Sequence, residues 1–344
     1  MRLLSFDILR IVAVNCVIYI HTSQYYIAAN PNPGATTTAF LILTNLSRFA
    51  VPFFFISSGY FLGKKIDGDG ESGRTIVRQI KRVFILLASW SLVYAAVPTD
   101  LSKIGENSFL EIAAGKISQT GQWITANPSA FLFRSTSIHL WFLIALMLSC
   151  AVLLAVRRSP RFFFSLTVIM YFTGILGGAY SVTPIGIKLP FDTNLSFLVG
   201  AVYFALGYRL SKKAATAGTA LILIMIFAGA LLHLFETYYL FKHYNAPPVQ
   251  ANLVGTLFFG AGVGLLAARC KQTHVSGVIT ALSKYSPGVY LSHALAILYV
   301  IQNTVFWRSD KLYIFAAFNF GAYLASLALT AMLARIPYVR QLVL

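Results

Sequence analysis

Residues 7–27 read Asp7-Ile-Leu-Arg10-Ile-Val-Ala-Val-Asn-Cys16-Val-Ile-Tyr-Ile-His21-Thr-Ser-Gln-Tyr-Tyr-Ile27. The stretch is long and apolar enough to cross a bilayer as a helix, yet it carries Asp7, Arg10 and His21. Ionisable side chains are costly inside such a segment, so they turn toward the protein interior, where a partner or a function retains them. Arg10 and His21 are separated by about three helical turns, which predicts one shared face and roughly 16 Å along the axis. With Asp7 at one water interface, Arg10 stays near that side and His21 lies past the midplane. A cation near one surface and a titratable imidazole deep on the same face predict one site reachable from both sides.

The rest of the chain has the same character. Its 344 residues are 58% hydrophobic and only 11% charged, against about 25% charged in soluble domains, and its mean hydropathy is +0.73. These values predict an all-α, polytopic membrane helical bundle forming one embedded domain over residues 1–344, with no low-complexity segment and no second soluble domain. The net charge of +17 does not call for nucleic acid, because the basic residues are scattered between apolar runs. Cys16, Cys150 and Cys270 fall in or beside those runs without paired spacing, so neither a disulfide framework nor a cysteine metal site is expected. Residues 1–20 lack a small-residue cleavage site, which predicts an uncleaved first span.

About ten segments have spanning length: 7–27, 39–62, 78–97, 138–156, 162–180, 193–211, 217–236, 251–269, 283–303 and 313–334. Alternate links hold most of the Lys and Arg. One side receives Lys64, Lys65, Arg74, Arg78, Lys81 and Arg82, then Arg157, Arg158 and Arg161, then Arg209, Lys212 and Lys213. Arg269, Lys271 and Lys284 follow, and the termini add Arg2, Arg335 and Arg340. The opposite links hold Lys103, Lys116, Arg134, Lys188, Lys242, Arg308 and Lys311. Because the alternation holds throughout, the positive-inside rule places both termini in the cytoplasm. In the long outer link 98–137, Ile112–Gln119 is expected to form a short interfacial helix, and Trp123 suits the membrane boundary.

Several polar residues at membrane depth are candidates for chemistry. His21 either bonds a neighbouring helix or acts as a general base on a hydroxyl, and an acyl-histidine is also open to it. Arg48, in a span running inward from outside, should reach a depth comparable to His21; it either snorkels to the interface or faces a reacting carbonyl. Pro52 and Gly59 in the same span predict a kinked, closely packed, cavity-lining helix. His139 opens the fourth span beside Trp141, which an aromatic belt also explains. Glu236 marks the outer end of the seventh span, where it orients a histidine, binds a sugar hydroxyl or simply meets water. His293 lies mid-span. On the inner side, Arg74, Arg78, Lys81 and Arg82 serve either as topology determinants or, beside Arg10, as partners for a phosphate-rich donor. Nucleotide-binding glycine loops and metal-binding spacings such as H-E-x-x-H are absent from the sequence, so no metal is expected and ATP is disfavoured as donor.

These residues resemble a known family. Phe6-Asp7-Ile-Leu-Arg10 through His21-Thr22 carries the Arg-x10-His pattern of the acyltransferase-3 membrane family. Ser47-Arg48-Phe-Ala-Val-Pro-Phe-Phe-Phe-Ile-Ser-Ser-Gly-Tyr60, His139-Leu-Trp141-Phe-Leu and Leu282-Ser-Lys-Tyr-Ser-Pro-Gly-Val-Tyr-Leu-Ser-His293 resemble it as well. Among members the chain most resembles the short, stand-alone bacterial type typified by the enterobacterial common antigen O-acetyltransferase. The resemblance implies an inner-membrane enzyme that takes an acyl group, usually acetyl, from cytoplasmic acyl-CoA. The acceptor it implies is a hydroxyl of an envelope carbohydrate, possibly lipid-linked, at the outer face. It implies His21 as the essential histidine, Arg10 as its partner near the donor and Arg48 as the second-span arginine. Arg78 and Arg82 match the family's cytoplasmic basic motif, while Asp7, Tyr60, His139, Trp141, Glu236 and His293 are carried as acceptor or supporting residues. Acetyl-CoA is then a substrate, with no permanently bound cofactor. No SGNH-type esterase domain follows the tenth span, so the chain completes transfer alone or passes the acyl group to a separate protein. Two other readings of the intramembrane charges stand beside this one: a transporter or flippase for a small anion or lipid-linked sugar, and a non-catalytic sensor.

Overall fold

The computed structural model describes residues 3–29, 34–100, 102, 108–212, 217–269, 277–309 and 311–344. Arg2, Lys103, Lys213, Cys270 and Lys271 lie outside the described residues. The described residues form helices and connecting turns with no β-strand. In order, α1 is Leu4–Ala29, α2 Ala35–Leu46, α3 Ala50–Asp69, α4 Ser72–Ala96, α5 Phe109–Ala126 and α6 Pro128–Arg134. There follow α7 Trp141–Val156, α8 Pro160–Gly177, α9 Phe197–Lys212, α10 Thr219–Tyr244 and α11 Val254–Arg269. The chain ends with α12 Gly277–Asn303, α13 Leu312–Leu333 and α14 Pro337–Arg340.

Every segment with spanning length in the sequence is helical. Six stretches are both long and apolar enough to cross a membrane: α1, α2 with α3, α7 with the turn before it, α8, α10 and α13. Among the others, α9 and α11 have 16 residues each, α4 carries Arg74, Arg78, Lys81 and Arg82 in its first half, and α12 carries Lys284 seven residues after its start. Arg10 and Leu344 line one cavity, so the two ends of the chain meet at one end of the bundle.

Three boundaries differ from the sequence reading, each for a physical reason. The second segment is not one kinked helix: a 3-10 turn, Ser47–Phe49, separates α2 from α3. Pro52 explains the break, since its ring cannot share regular helix with the carbonyl four residues earlier, at Arg48. Helix α10 continues to Tyr244, beyond the expected end at Glu236, because Thr237 and Leu240 are buried and hold it against the bundle. Helix α12 begins at Gly277, so Lys284 stands on a helix and not in a link. The expected interfacial helix is longer than Ile112–Gln119: α5 starts at a capping box in which Ser108 and Glu111 satisfy each other's backbone N–H groups.

The core forms where α1 packs against α3, α12 and α13, with Phe6, Phe53, Tyr60 and Phe61 in ring contact. The most extensive packing joins α3 to α9. A Cβ at Gly59 would stand 2.0 Å from the Phe204 carbonyl oxygen, and one at Gly207 would stand 2.0 Å from that of Ile56. Only glycine allows this backbone approach, the usual way membrane helices gain contact without a hydrophobic drive. Outside the core, α10 turns Leu221, Ile224, Phe227, Leu231 and Phe235 outward, as a lipid-facing stripe does.

Candidate active site: two compartments and a shared wall

The inner cavity, about 440 Å³, lies where α1, α3, α4, α7 and α12 meet. Its lining includes Arg10, Lys65, Arg82 and Lys284, with Ser57, Ser58 and Ser283 beside them and no carboxylate among the described lining residues. The Arg10 guanidinium is held in place: Nε and Nη2 donate to Ser57 Oγ at 3.2 and 3.0 Å. Asp7 stands 3.6 Å away, one turn earlier, and the Phe61 ring lies 4.6 Å beneath it. Asp7 is fixed in turn by the Ser283 hydroxyl, which donates to Oδ1 at 2.6 Å. One polar chain therefore ties α3, α1 and α12 together. Pro287 sits within α12 beside this junction and lines the cavity. Arg82 reaches the cavity from α4 and donates to the Leu344 carbonyl at 2.9 Å.

The outer chamber is small, about 90 Å³. It is lined by His21, Gln24, Arg48, His139, Trp141 and Asn252, among apolar side chains that include Val17, Pro52 and Leu195. The 3-10 turn before Pro52 delivers Arg48 here. Its Nε is buried without a hydrogen-bond partner, so this donor is available to a group entering the chamber. The loop carrying Asn252 is pinned by Asn45, whose amide donates to the Pro248 carbonyl at 3.1 Å. His233 Nε2 donates to Asn45 Oδ1 at 3.2 Å from behind.

Three histidines from α1, α12 and the turn before α7 converge. The ring centroids of His21 and His293 are 5.2 Å apart, and those of His293 and His139 are 5.0 Å apart. His139 is satisfied at both nitrogens: Nε2 donates to the Leu291 carbonyl at 3.3 Å and Nδ1 accepts from Ser137 Oγ at 3.0 Å. His293 is satisfied at one only. Its Nδ1 donates to the Tyr290 carbonyl at 2.5 Å, while Nε2 is buried with no partner. That bond fixes the tautomer and leaves a bare lone pair on His293. Among the described residues no three His, Cys, Asp or Glu side chains are placed to hold a metal ion.

Tyr290 lines both compartments. Its hydroxyl donates to the His139 carbonyl at 2.6 Å, and its ring meets Phe54 and Phe142 edge-on at 5.8 and 5.4 Å. In place of one open seam from Arg10 to His21, the structure has two spaces divided by an aromatic wall.

The sequence candidates thus separate into groups. Arg10 and Arg82 border the inner cavity, with Asp7 behind Arg10. His21, Arg48, His139 and Trp141 border the outer chamber, with His293 against His21. Three candidates lie elsewhere. Tyr60 stacks on Phe6 at 4.8 Å in the core. Arg78 is exposed on α4. Glu236 accepts from the Tyr180 hydroxyl and from the Gly255 N–H at 2.8 Å, so it braces the start of α11, where a helix favours negative charge. Sequence reasoning passed over Tyr290, Ser57, Gln24 and Asn252. A tyrosine three positions before His293 was the available signal for the first; nothing local marked Asn252.

A family model described as an acyltransferase domain matches residues 3–335. No curated protein and no solved structure matches the chain.

Proposed function

The chain belongs to the acyltransferase-3 family and is a membrane acyltransferase; from that premise we propose that it carries an acetyl group from cytoplasmic acetyl-CoA to a hydroxyl of an envelope carbohydrate at the outer side of the inner membrane. The observation that carries this reading is the division of α1. Arg10 borders a roomy cavity whose charged side chains, among the described lining residues, are all basic, and His21 borders a small chamber beyond it, with Tyr290 common to both.

A space of about 440 Å³ lies within the range of small-molecule sites. Four basic side chains with no acidic side chain among the described lining residues suit the phosphates of CoA, which guanidinium and ammonium groups bind strongly. The basic end is then the cytoplasmic end, in accord with the positive-inside pattern. A chamber of about 90 Å³ accommodates an acyl group and the attacking hydroxyl but not a coenzyme, so the acetyl end enters it by displacing the Tyr290 ring while the nucleotide stays in the inner cavity. The likeness to the enterobacterial common antigen type rests on the motifs and span layout alone.

The chemistry follows from the groups present. The acceptor O–H loses its proton to the open nitrogen of His21 as the oxygen attacks the thioester carbonyl. The carbonyl oxygen gains charge beside the Arg48 guanidinium, whose unpaired Nε–H is placed to stabilise it. The C–S bond then breaks and the proton on His21 passes to the departing thiolate, leaving an ester and free CoA. Positioning and charge stabilisation supply most of the acceleration. His293, whose Nε2 has no hydrogen-bond partner, stands with its ring centroid 5.2 Å from that of His21 and adds a second polar group beside the proton transfer. The test is transfer of label from acetyl-CoA to envelope glycan in membranes, with and without His21→Ala. Transfer that survives the substitution overturns the mechanism, and an enzyme that releases no CoA when given acetyl-CoA and glycan overturns the activity.

A further inference from the structure

A third space, a polar recess of about 410 Å³, lies at the end of α12 remote from Arg10. It is bordered by Pro98, Thr99 and Asp100 after α4, one face of α5 and Gln302 near the end of α12. The enclosure is built. Lys116 donates to the Val97 carbonyl, and the Asn303 amide donates to the Thr99 carbonyl at 2.6 Å. These bonds tie the ends of α4, α5 and α12 around the space. On α5, Glu111, Gly115 and Gln119 recur at helical spacing and all face the recess. Leu110 and Ile117 lie on the opposite face, 78% and 52% exposed.

The lining states the ligand's chemistry. Asp100 and Glu111 supply carboxylates, Gln119 and Gln302 supply amides, and Lys116 supplies one ammonium. Among the described lining residues negative charge is in slight excess, which disfavours phosphate or an acidic sugar. Carboxylates accept and amides both donate and accept, so the match is a molecule with many hydroxyls. Ile112 and Pro98 offer small apolar faces to the carbon side of a sugar ring. The Glu111 carboxylate is held at its post by the Ser108 N–H and hydroxyl, at 2.8 and 3.0 Å.

The recess neighbours the reaction. On α4 the Tyr94 ring stands 4.9 Å from that of His139, and its hydroxyl donates to the Leu291 carbonyl at 2.8 Å. Pro98, on the rim of the recess, follows Tyr94 by four residues, just past the end of α4 at Ala96. Through Tyr94, the helix that leads into the recess also packs against His139, a lining residue of the outer chamber. From this placement we propose that the recess is the holding site for the acceptor: it binds an uncharged, hydroxyl-rich segment of glycan beside the sugar whose hydroxyl enters the outer chamber. The inference rests on the acyltransferase reading and adds to it the place and the charge of the acceptor. The exposed apolar back of α5 suits the outer-leaflet boundary, so the glycan arrives either on a lipid carrier or free in the water layer.

The experiment uses the full chain in lipid nanodiscs with labelled acetyl-CoA and two acceptor preparations from the envelope of the source cells. One is the solvent-extracted lipid-linked glycan; the other is the same glycan released from lipid by mild acid. Gln119→Leu combined with Gln302→Leu removes uncharged contacts only. Gly115→Trp fills the recess from a position where an added Cβ meets no atom within 4 Å. The expected result is a rise of about tenfold in KM for glycan, the loss of two hydrogen-bonding side chains, with kcat and KM for acetyl-CoA changed by less than about twofold. The preparation on which the shift appears identifies the carrier state. An unchanged glycan KM in both variants overturns the recess while leaving the acyltransferase reading intact. Wild-type protein that labels neither preparation overturns both. If the double variant loses its affinity for acetyl-CoA, it has misfolded and Gly115→Trp decides.

Discussion

The inner cavity and the outer chamber share a wall and differ in almost everything else. The inner one is several times larger, ringed by Arg10, Lys65, Arg82 and Lys284, with hydroxyls between them. The outer one is barely larger than the group it handles and pairs imidazoles with a single guanidinium. Volume and uniform positive charge serve binding of a large polyanion. A tight, apolar space with one unpaired donor and one unshared lone pair serves bond-making, because fixed dipoles act most strongly where water is excluded. On the proposed function, the difference teaches that affinity and chemistry fall to opposite halves of one helix, α1.

The largest expected effect breaks the outer half alone. His21→Ala should lower transfer by about a thousandfold, as loss of a general base does, while acetyl-CoA still binds. Titration of the purified variant with acetyl-CoA checks this, and a matching loss of binding would mean that the halves are not separate. Arg10→Ala addresses the inner half. It should raise the KM for acetyl-CoA by about ten- to a hundredfold, the value of a charge-assisted contact or two, with the KM for glycan unmoved in steady-state assays. Tyr290→Ala removes the wall itself. Acetyl-CoA hydrolysis without acceptor should then rise about fivefold, since water exclusion is what suppresses such side reactions. Tyr290→Phe, which keeps the ring, should stay near wild type, with thiol release as the measure for both. The smallest effect sharpens the boundary. Arg78→Ala, exposed and outside both linings, should leave both KM values within about twofold.

The helical architecture was legible because each segment had to bury its own backbone polar groups and present apolar side chains to lipid. Arg10 and His21 were legible for the same reason, as ionisable groups where hydrocarbon surrounds the helix. The 3-10 turn at Arg48 was half legible: Pro52 announced a disturbance, but its placement one turn earlier follows from the proline's clash with the carbonyl at 48. Convergence was not legible. His21, His139 and His293 come from distant parts of the chain, and only helix packing brings their rings within about van der Waals contact. Glu236 misled because a carboxylate near the expected end of a span reads as solvent-exposed or functional, whereas the longer α10 carries it to the first turn of α11. Tyr290 was hidden by abundance. Among 18 tyrosines, its position between two cavities has no local mark.

The aromatic wall has a consequence for the cell that concerns neither substrate. A water-filled passage through the bilayer would let ions run down the membrane potential, which drives each elementary charge with about 2.3 kcal/mol per 100 mV. On the proposed function, the mutual contact of Tyr290, Phe54 and Phe142 would give chemical reach across the membrane without an electrical leak.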